Sequence, residues 1–170
     1  MIQHPYDRMV SSQRRRVAIG SDVVHETASA IASHLEHAGY EVVRCGAVAG
    51  PDTPWPDVAH EVARLVVAHG VESAVLCCWT GTGVSIAANK VPGVRAALCG
   101  DAETARGARR WNDANVLAIG LSTTKAERAV EIVDAFLSTS DVDPTEASNI
   151  SRVTELERRY SGAPAAREVG

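Results

Sequence analysis

The chain has 170 residues, 45% of them hydrophobic and 22% charged, with a formal net charge of −4. That is the size and balance of one globular domain with a sizeable core. Negative net charge and an aromatic content of 4% offer nucleic acid neither an electrostatic footprint nor a stacking surface, and no apolar run reaches the length of a membrane span.

Residues 1–15 are polar and lead into Arg14-Arg15-Arg16. A signal peptide needs an apolar stretch after its basic residues, whereas the next apolar run here is a strand. The segment therefore reads as a flexible N-terminal extension with solvated arginines. Arg16–Gly20 is the first expected strand, with Ser21-Asp22 just past its end. Ala28, Ile31, Ala32 and Leu35 keep helical spacing within 25–38, and Gly39 stops that helix. Glu41–Cys45 is a second strand, followed by a loop from Gly46 to Pro56 and a helix from Asp57, its expected N-cap, to about Ala68.

Ala74–Cys78 is wholly apolar, as in a parallel strand covered on both faces. The turn that follows, Trp79-Thr80-Gly81-Thr82-Gly83, has two glycines that permit close backbone approach to a ligand. A helix begins there, and its first amides favour negative charge. The spacing matches neither the phosphate-binding P-loop nor the full GxGxxG fingerprint. Val94–Leu98 is a fourth strand, Asp101–Arg110 a helix and Val116–Ile119 a fifth strand. Thr123 or Thr124 is the expected cap of a helix to about Leu137. Ser138–Ala147 reads as a polar loop, Ile150, Val153 and Leu156 as a short last helix, and 161–170 as a disordered tail.

Residues 16–160 thus form a single α/β domain, a Rossmann-like three-layer αβα sandwich with a five-stranded parallel sheet. Such folds hold ligands beyond the carboxyl ends of the strands, which places Asp22, Cys78 and Gly100-Asp101 on one rim. The four cysteines, Cys45, Cys77, Cys78 and Cys99, show neither disulfide nor zinc spacing, which fits a reducing cytoplasm. No metal or other cofactor is expected. A thiol at Cys78, beside a glycine turn and a helix N-terminus, has the setting of a base or nucleophile next to an oxyanion cradle. The alternative is a small core hydrophobe.

Four blocks carry a resemblance. Cys78-Trp79-Thr80-Gly81-Thr82-Gly83-Val84-Ser85-Ile86-Ala87-Ala88-Asn89-Lys90 and Gly93-Val94-Arg95-Ala96-Ala97-Leu98 are the longest. Ala18-Ile19-Gly20-Ser21-Asp22 and Asn112-Asp113-Ala114-Asn115-Val116-Leu117 agree in order and spacing, and Trp55-Pro56-Asp57 is similar to a Tyr-Pro-Asp. Together they resemble the ribose-5-phosphate isomerase B and galactose-6-phosphate isomerase family over roughly 16–153. The resemblance implies an aldose–ketose isomerase working through an enediolate, with Cys78 as base and Thr80 and the turn amides of Gly81, Thr82 and Gly83 as its cradle. An ordinary thiol is only a few per cent ionised at pH 7, and a helix N-terminus is a setting that raises that fraction. Asp22 matches a substrate or proton-relay aspartate, against an alternative as helix N-cap. Asn112 matches a substrate contact, whereas Asp113 and Asn115 read as turn builders. The family also implies a homodimer or homotetramer whose sites are completed by the neighbour's Trp111-Asn112 and Arg152 regions.

Departures from the family pattern cluster at the pocket. Val23 and Trp111 replace histidines, the latter associated with opening the sugar ring, and Trp79 replaces a glycine. Gly120-Leu121-Ser122 stands for a Gly-Gly-Arg, and of two C-terminal arginines only Arg152 remains, with Ser148 at the other position. His25, Arg106, Arg109, Arg110 and Arg158 are the cations available to replace the lost contacts. The expected substrate is accordingly a sugar or sugar phosphate that is already acyclic or differently substituted. An epimerase or tautomerase on the same scaffold, and a non-catalytic partner subunit, are the alternatives.

Overall fold

A computed structural model describes residues 15–162. The expectations for 1–14 and 163–170 lie outside the described residues. The elements are β1 (Arg16–Ser21), α1 (Glu26–His37), β2 (Glu41–Gly46), α2 (Trp55–Val67), β3 (Ser73–Cys78), α3 (Thr82–Ala88), β4 (Ala96–Leu98), α4 (Ala102–Asn112), β5 (Val116–Gly120), α5 (Ala126–Ser138) and α6 (Ala147–Tyr160). The strands form one sheet in the order β2-β1-β3-β5-β4, parallel throughout.

Strand β3 is central because its six residues are all buried and none is charged. Its side chains alternate between two cores. Cys77 joins Ile31 and Leu35 of α1, Ala105 of α4 and Phe136 of α5 on one face. Cys78 joins Val58 and Val62 of α2 and Val84 of α3 on the other. Arg15 and Arg16 are tied into the start of the sheet by ion pairs to Glu72 and Glu41, each at 2.8 Å.

Several local expectations need correction. Helix α2 starts at Trp55 with Pro54 as its cap residue, so Asp57 is a first-turn charge rather than the N-cap. Proline suits that first turn because its missing N–H has no helical partner there. Lys125, not Thr123 or Thr124, occupies the cap of α5; the Thr124 carbonyl instead accepts from Thr27 Oγ1 at 3.3 Å, and its amide donates to Gly120 O. Strand β4 is only three residues long, because Gly93 adopts φ +87° and the Arg95 amide donates to the Asn115 side chain. The last helix is longer than the sequence pattern implies: α6 has 14 residues and buries none. A 3-10 turn, Pro144–Glu146, leads into it, with the Asp143 side chain accepting from Thr145 N.

Candidate active site

Adjacent strands β1 and β3 send their chains to opposite faces, β1 to α1 and β3 to α3. Such a divergence is where sheets of this kind accommodate ligands, beyond the carboxyl ends of the strands. Asp22 and Cys78 both stand there, next to the paired residues Ser21 and Cys77 of β1 and β3.

The turn is held by backbone contacts to the end of β5. Cys78 O accepts from Leu121 N at 3.0 Å, and Trp79 O from Ser122 N at 2.9 Å. Gly81 is required twice. Its φ is +76°, and a Cβ there would lie 2.5 Å from Leu98 Cδ1 and 2.8 Å from Gly120 N. Gly83 makes room for the Trp55 indole, whose atoms sit 3.1 Å from the position of a Cβ. The Thr80 and Thr82 hydroxyls bond each other at 2.7 Å, and Ser85 N donates to Gly81 O to start α3. The first amides of that short helix, having no carbonyl one turn back, face outward from the turn.

Cys78 is 5% exposed, whereas Cys45, Cys77 and Cys99 are at 0–1%. Burial, reinforced by neighbouring Cys78 and Asp22, pushes the Cys77 thiol up to about 12. Burial and Glu61 push Cys45 to about 12, and burial with Asp101 pushes Cys99 to about 11. These three are core thiols that stay protonated at neutral pH.

Asp22 is not the cap of α1. That place belongs to His25, whose Nδ1 accepts from Thr27 N at 3.1 Å. The Asp22 segment is pinned from the loop before α2: Thr53 N donates to Asp22 O at 2.9 Å, and Asp52 Oδ1 accepts from Val24 N at 3.0 Å. Asp22 Oδ1 is buried with no hydrogen-bond partner. A buried acceptor left unpaired costs stability, so its presence at the strand-end rim reads as function. Desolvation raises the Asp22 pKa, its own and Val23's amides oppose the shift, and the Asp52 carboxylate adds to it.

The sign of the linkage follows. A carboxyl whose folded pKa is raised binds more protons folded than unfolded, so stability falls as pH rises from the ordinary aspartate pKa of about 3.9 through the raised value. Asp22→Asn removes that penalty. The expected outcome at pH 7 is a higher melting temperature with reduced activity, and the gain in Tm should vanish near pH 3. Calorimetry across pH checks it; a Tm lowered equally at both pH values would contradict the assignment.

Not every expected residue reaches this rim. Val23 packs against the α1-side core. Trp111 and Asn112 end α4, about 16 Å along the helix from the strand-end rim where it begins. Asn112 lines a groove of about 440 Å³ with Val94, Ala96, Val153 and Leu156, beside Arg152 on exposed α6. Within one chain, then, Cys78, Thr80 and Asp22 lie at the strand-end rim, Asn112 and Arg152 are grouped away from them, and the Trp111 side chain folds back along α4 toward Leu98.

The turn motifs explain other residues. Arg95 donates to Asp113 O at 2.7 Å and to Asp113 Oδ2 at 2.6 Å, while Asn115 bridges Arg95 N and Gly93 O, each at 2.8 Å. Asn89 imitates a strand by exchanging two 2.8 Å bonds with Ala96. Of the candidate replacement cations, Arg109 is spent on Thr139 O and Ala114 O and Arg106 on Glu103. The role of Trp55 rests on its packing against Gly83 of α3, and those of Asp52 and Thr53 on contacts to the Asp22–Val24 segment, partners distant in sequence.

Comparison with known proteins bears on the family and the fold. A family profile described as Ribose/Galactose Isomerase matches residues 17–156. The chain is 36% identical over 150 residues to ribose-5-phosphate isomerase B of Escherichia coli K12, covering 85% of this chain and 98% of that protein. Among solved structures, ribose-5-phosphate isomerase B of Clostridium thermocellum superposes with a TM-score of 0.81 at 36% identity, over 85% of this chain and 99% of that one. The type B ribose 5-phosphate isomerase of Trypanosoma cruzi gives 0.79 at 40% identity, over 86% and 99%.

Proposed function

The chain belongs to the ribose/galactose isomerase family, and from that membership we propose that it interconverts an aldose and a ketose with Cys78 as the base. The supporting observation is the pairing of the β1 and β3 ends, Ser21 with Cys77. It sets the least buried thiol of the chain beside a glycine turn and next to the strand end that carries a buried, unpartnered Asp22 oxygen. The Cys78 thiolate takes the proton from the carbon next to the carbonyl. Thr80 Oγ1 and the outward turn amides hold the enediolate oxygen, where preorganised donors contribute most. Asp22 hydrogen-bonds the substrate hydroxyls and relays the proton between oxygens. Return of the carbon-bound proton to the neighbouring carbon completes the isomerisation. A screen of sugars and sugar phosphates for solvent-deuterium incorporation at the α-carbon tests the reading; no exchange with any aldose or ketose defeats it.

The pocket is altered from that of a ribose-5-phosphate isomerase. Trp111 has no proton to move at neutral pH, and Ser122 and Ser148 carry no charge. The substrate is a sugar already open-chain, or one whose far end is not phosphate.

The working unit is a homodimer, or a dimer of dimers, in which Trp111, Asn112 and Arg152 of one subunit complete the site of the next. The separation of Asn112 and Arg152 from Cys78 within one chain supports this, as do the exposed apolar residues Leu98, Val153, Leu156 and Tyr160 at 43%, 44%, 51% and 64%. Cys78→Ala and Asn112→Ala chains, each inactive alone, are expected to regain activity when co-assembled. Sedimentation that finds a fully active monomer would contradict the shared site.

A further inference from the structure

Gly107 lies inside α4 and is buried, at a position where glycine costs helix stability relative to alanine. A Cβ added there would lie 2.6 Å from Cζ3, 2.8 Å from Cε3 and 3.5 Å from Cη2 of Trp111. These are its three nearest neighbours, so what excludes a side chain at 107 is the six-membered ring of the indole and not a neighbouring helix. The spacing is i to i+4, and helical side chains lean back toward the N-terminus. The ring therefore lies over the Gly107 backbone while Trp111 remains 49% exposed. With Thr104, Asn112 and Leu98 it lines a groove of about 480 Å³, and Leu98 in turn reaches over Gly81 of the Cys78 turn.

From these distances we infer that Gly107 is a positioning residue. By withholding a Cβ it lets the Trp111 indole lie flat along α4 as a fixed platform, and that platform sets specificity at the neighbouring subunit's site for a substrate that presents an apolar face of C–H bonds. This role rests on the shared-site isomerase reading above. An indole has a π-face and one N–H donor but no acceptor nitrogen, so it stacks on a carbon skeleton and cannot shuttle a proton. A ring free to rotate would lose entropy on each binding event, whereas one already seated does not.

The test compares Gly107→Ala in the wild-type chain with the same change in a Trp111→Ala chain. In the wild-type background KM is expected to rise about three- to ten-fold, the scale of one stacking contact, with kcat nearly unchanged and Tm unchanged or higher. In the Trp111→Ala background the added change should leave KM alone and raise Tm. Equal KM effects in both backgrounds, or none in either, overturn the platform role. A second arm needs no activity. The chain has three tryptophans, so Trp55→Phe with Trp79→Phe leaves Trp111 as the only indole. Gly107→Ala should then change its near-UV circular dichroism and its quenching by acrylamide; an unchanged indole overturns the positioning. A wild-type protein that exchanges no sugar α-proton defeats the isomerase reading alone, since the indole signals still decide where Gly107 places Trp111.

Discussion

Cys78→Ala is expected to abolish exchange of the substrate's α-proton while leaving a folded protein that still binds sugar. General bases contribute factors of about 10²–10⁴, and the neighbouring Cys77 thiol cannot take over, because it faces the opposite core and burial holds it protonated. Solvent-deuterium incorporation and turnover should fall together by about 10³-fold or more. Stability should change by only about 1 kcal/mol, the scale of one small buried group, because Cys78 sits at the edge of its core beside the turn. Cys77→Ala is the matched control. It removes a similar volume from the middle of the α1-side core, so it should lower Tm and leave kcat/KM near the wild-type value. Near-wild-type turnover in Cys78→Ala sinks the assignment of the base.

The second large effect concerns substrate. Ribose 5-phosphate must be opened before its α-proton becomes acidic, and Trp111 stands where the family has the ring-opening histidine. Hydrogen bonds to a charged group contribute roughly 1.5–3 kcal/mol each. If Ser122 and Ser148 stand where the resembled family has arginines on the phosphate, the expected loss is about 10²- to 10⁴-fold in affinity for a phosphate end. A four-carbon ketose or aldose, which cannot close a stable ring when its terminal oxygen is substituted, escapes the first penalty. Its kcat/KM should exceed that of ribose 5-phosphate. Trp111→His together with Val23→His should raise ribose 5-phosphate activity, with most of the gain from position 111, because Val23 is turned toward the α1-side core. Ribose 5-phosphate turned over by the wild-type chain at ~10⁴ M⁻¹s⁻¹ or more, ahead of the four-carbon sugars, would defeat the idea. No gain from the histidines would shift the cause to Trp79 or the C-terminal helix.

Much of this protein is local, and local features are legible in a chain. The apolar run Ala74–Cys78 identifies a central strand because parallel strands covered on both faces have no polar side to display. Alternation of strand and helix implies the layered parallel sheet. The glycines after Cys78 mark a turn, at Gly81 one that no side chain fits, so the proposed base and its cradle are legible in one stretch. What the chain could not declare is set by partners distant in sequence. Asp57 does not cap because α2 starts two residues earlier, at Trp55, and Thr123 does not because its hydroxyl donates to Gly120 O in the loop before α5, where Lys125 takes the cap. Asp22 lost its reading as a helix cap when His25 took that place, and its unpartnered oxygen appears only once Asp52 and Thr53 pin the loop. Asn112, read from sequence as a pocket residue, is carried by α4 away from the strand-end rim into a groove with Val153 and Leu156, whereas the Trp111 side chain folds back over Gly107 toward Leu98. A helix rises about 1.5 Å per residue, so the eleven residues of α4 are enough to carry a residue about 16 Å from the rim where the helix begins.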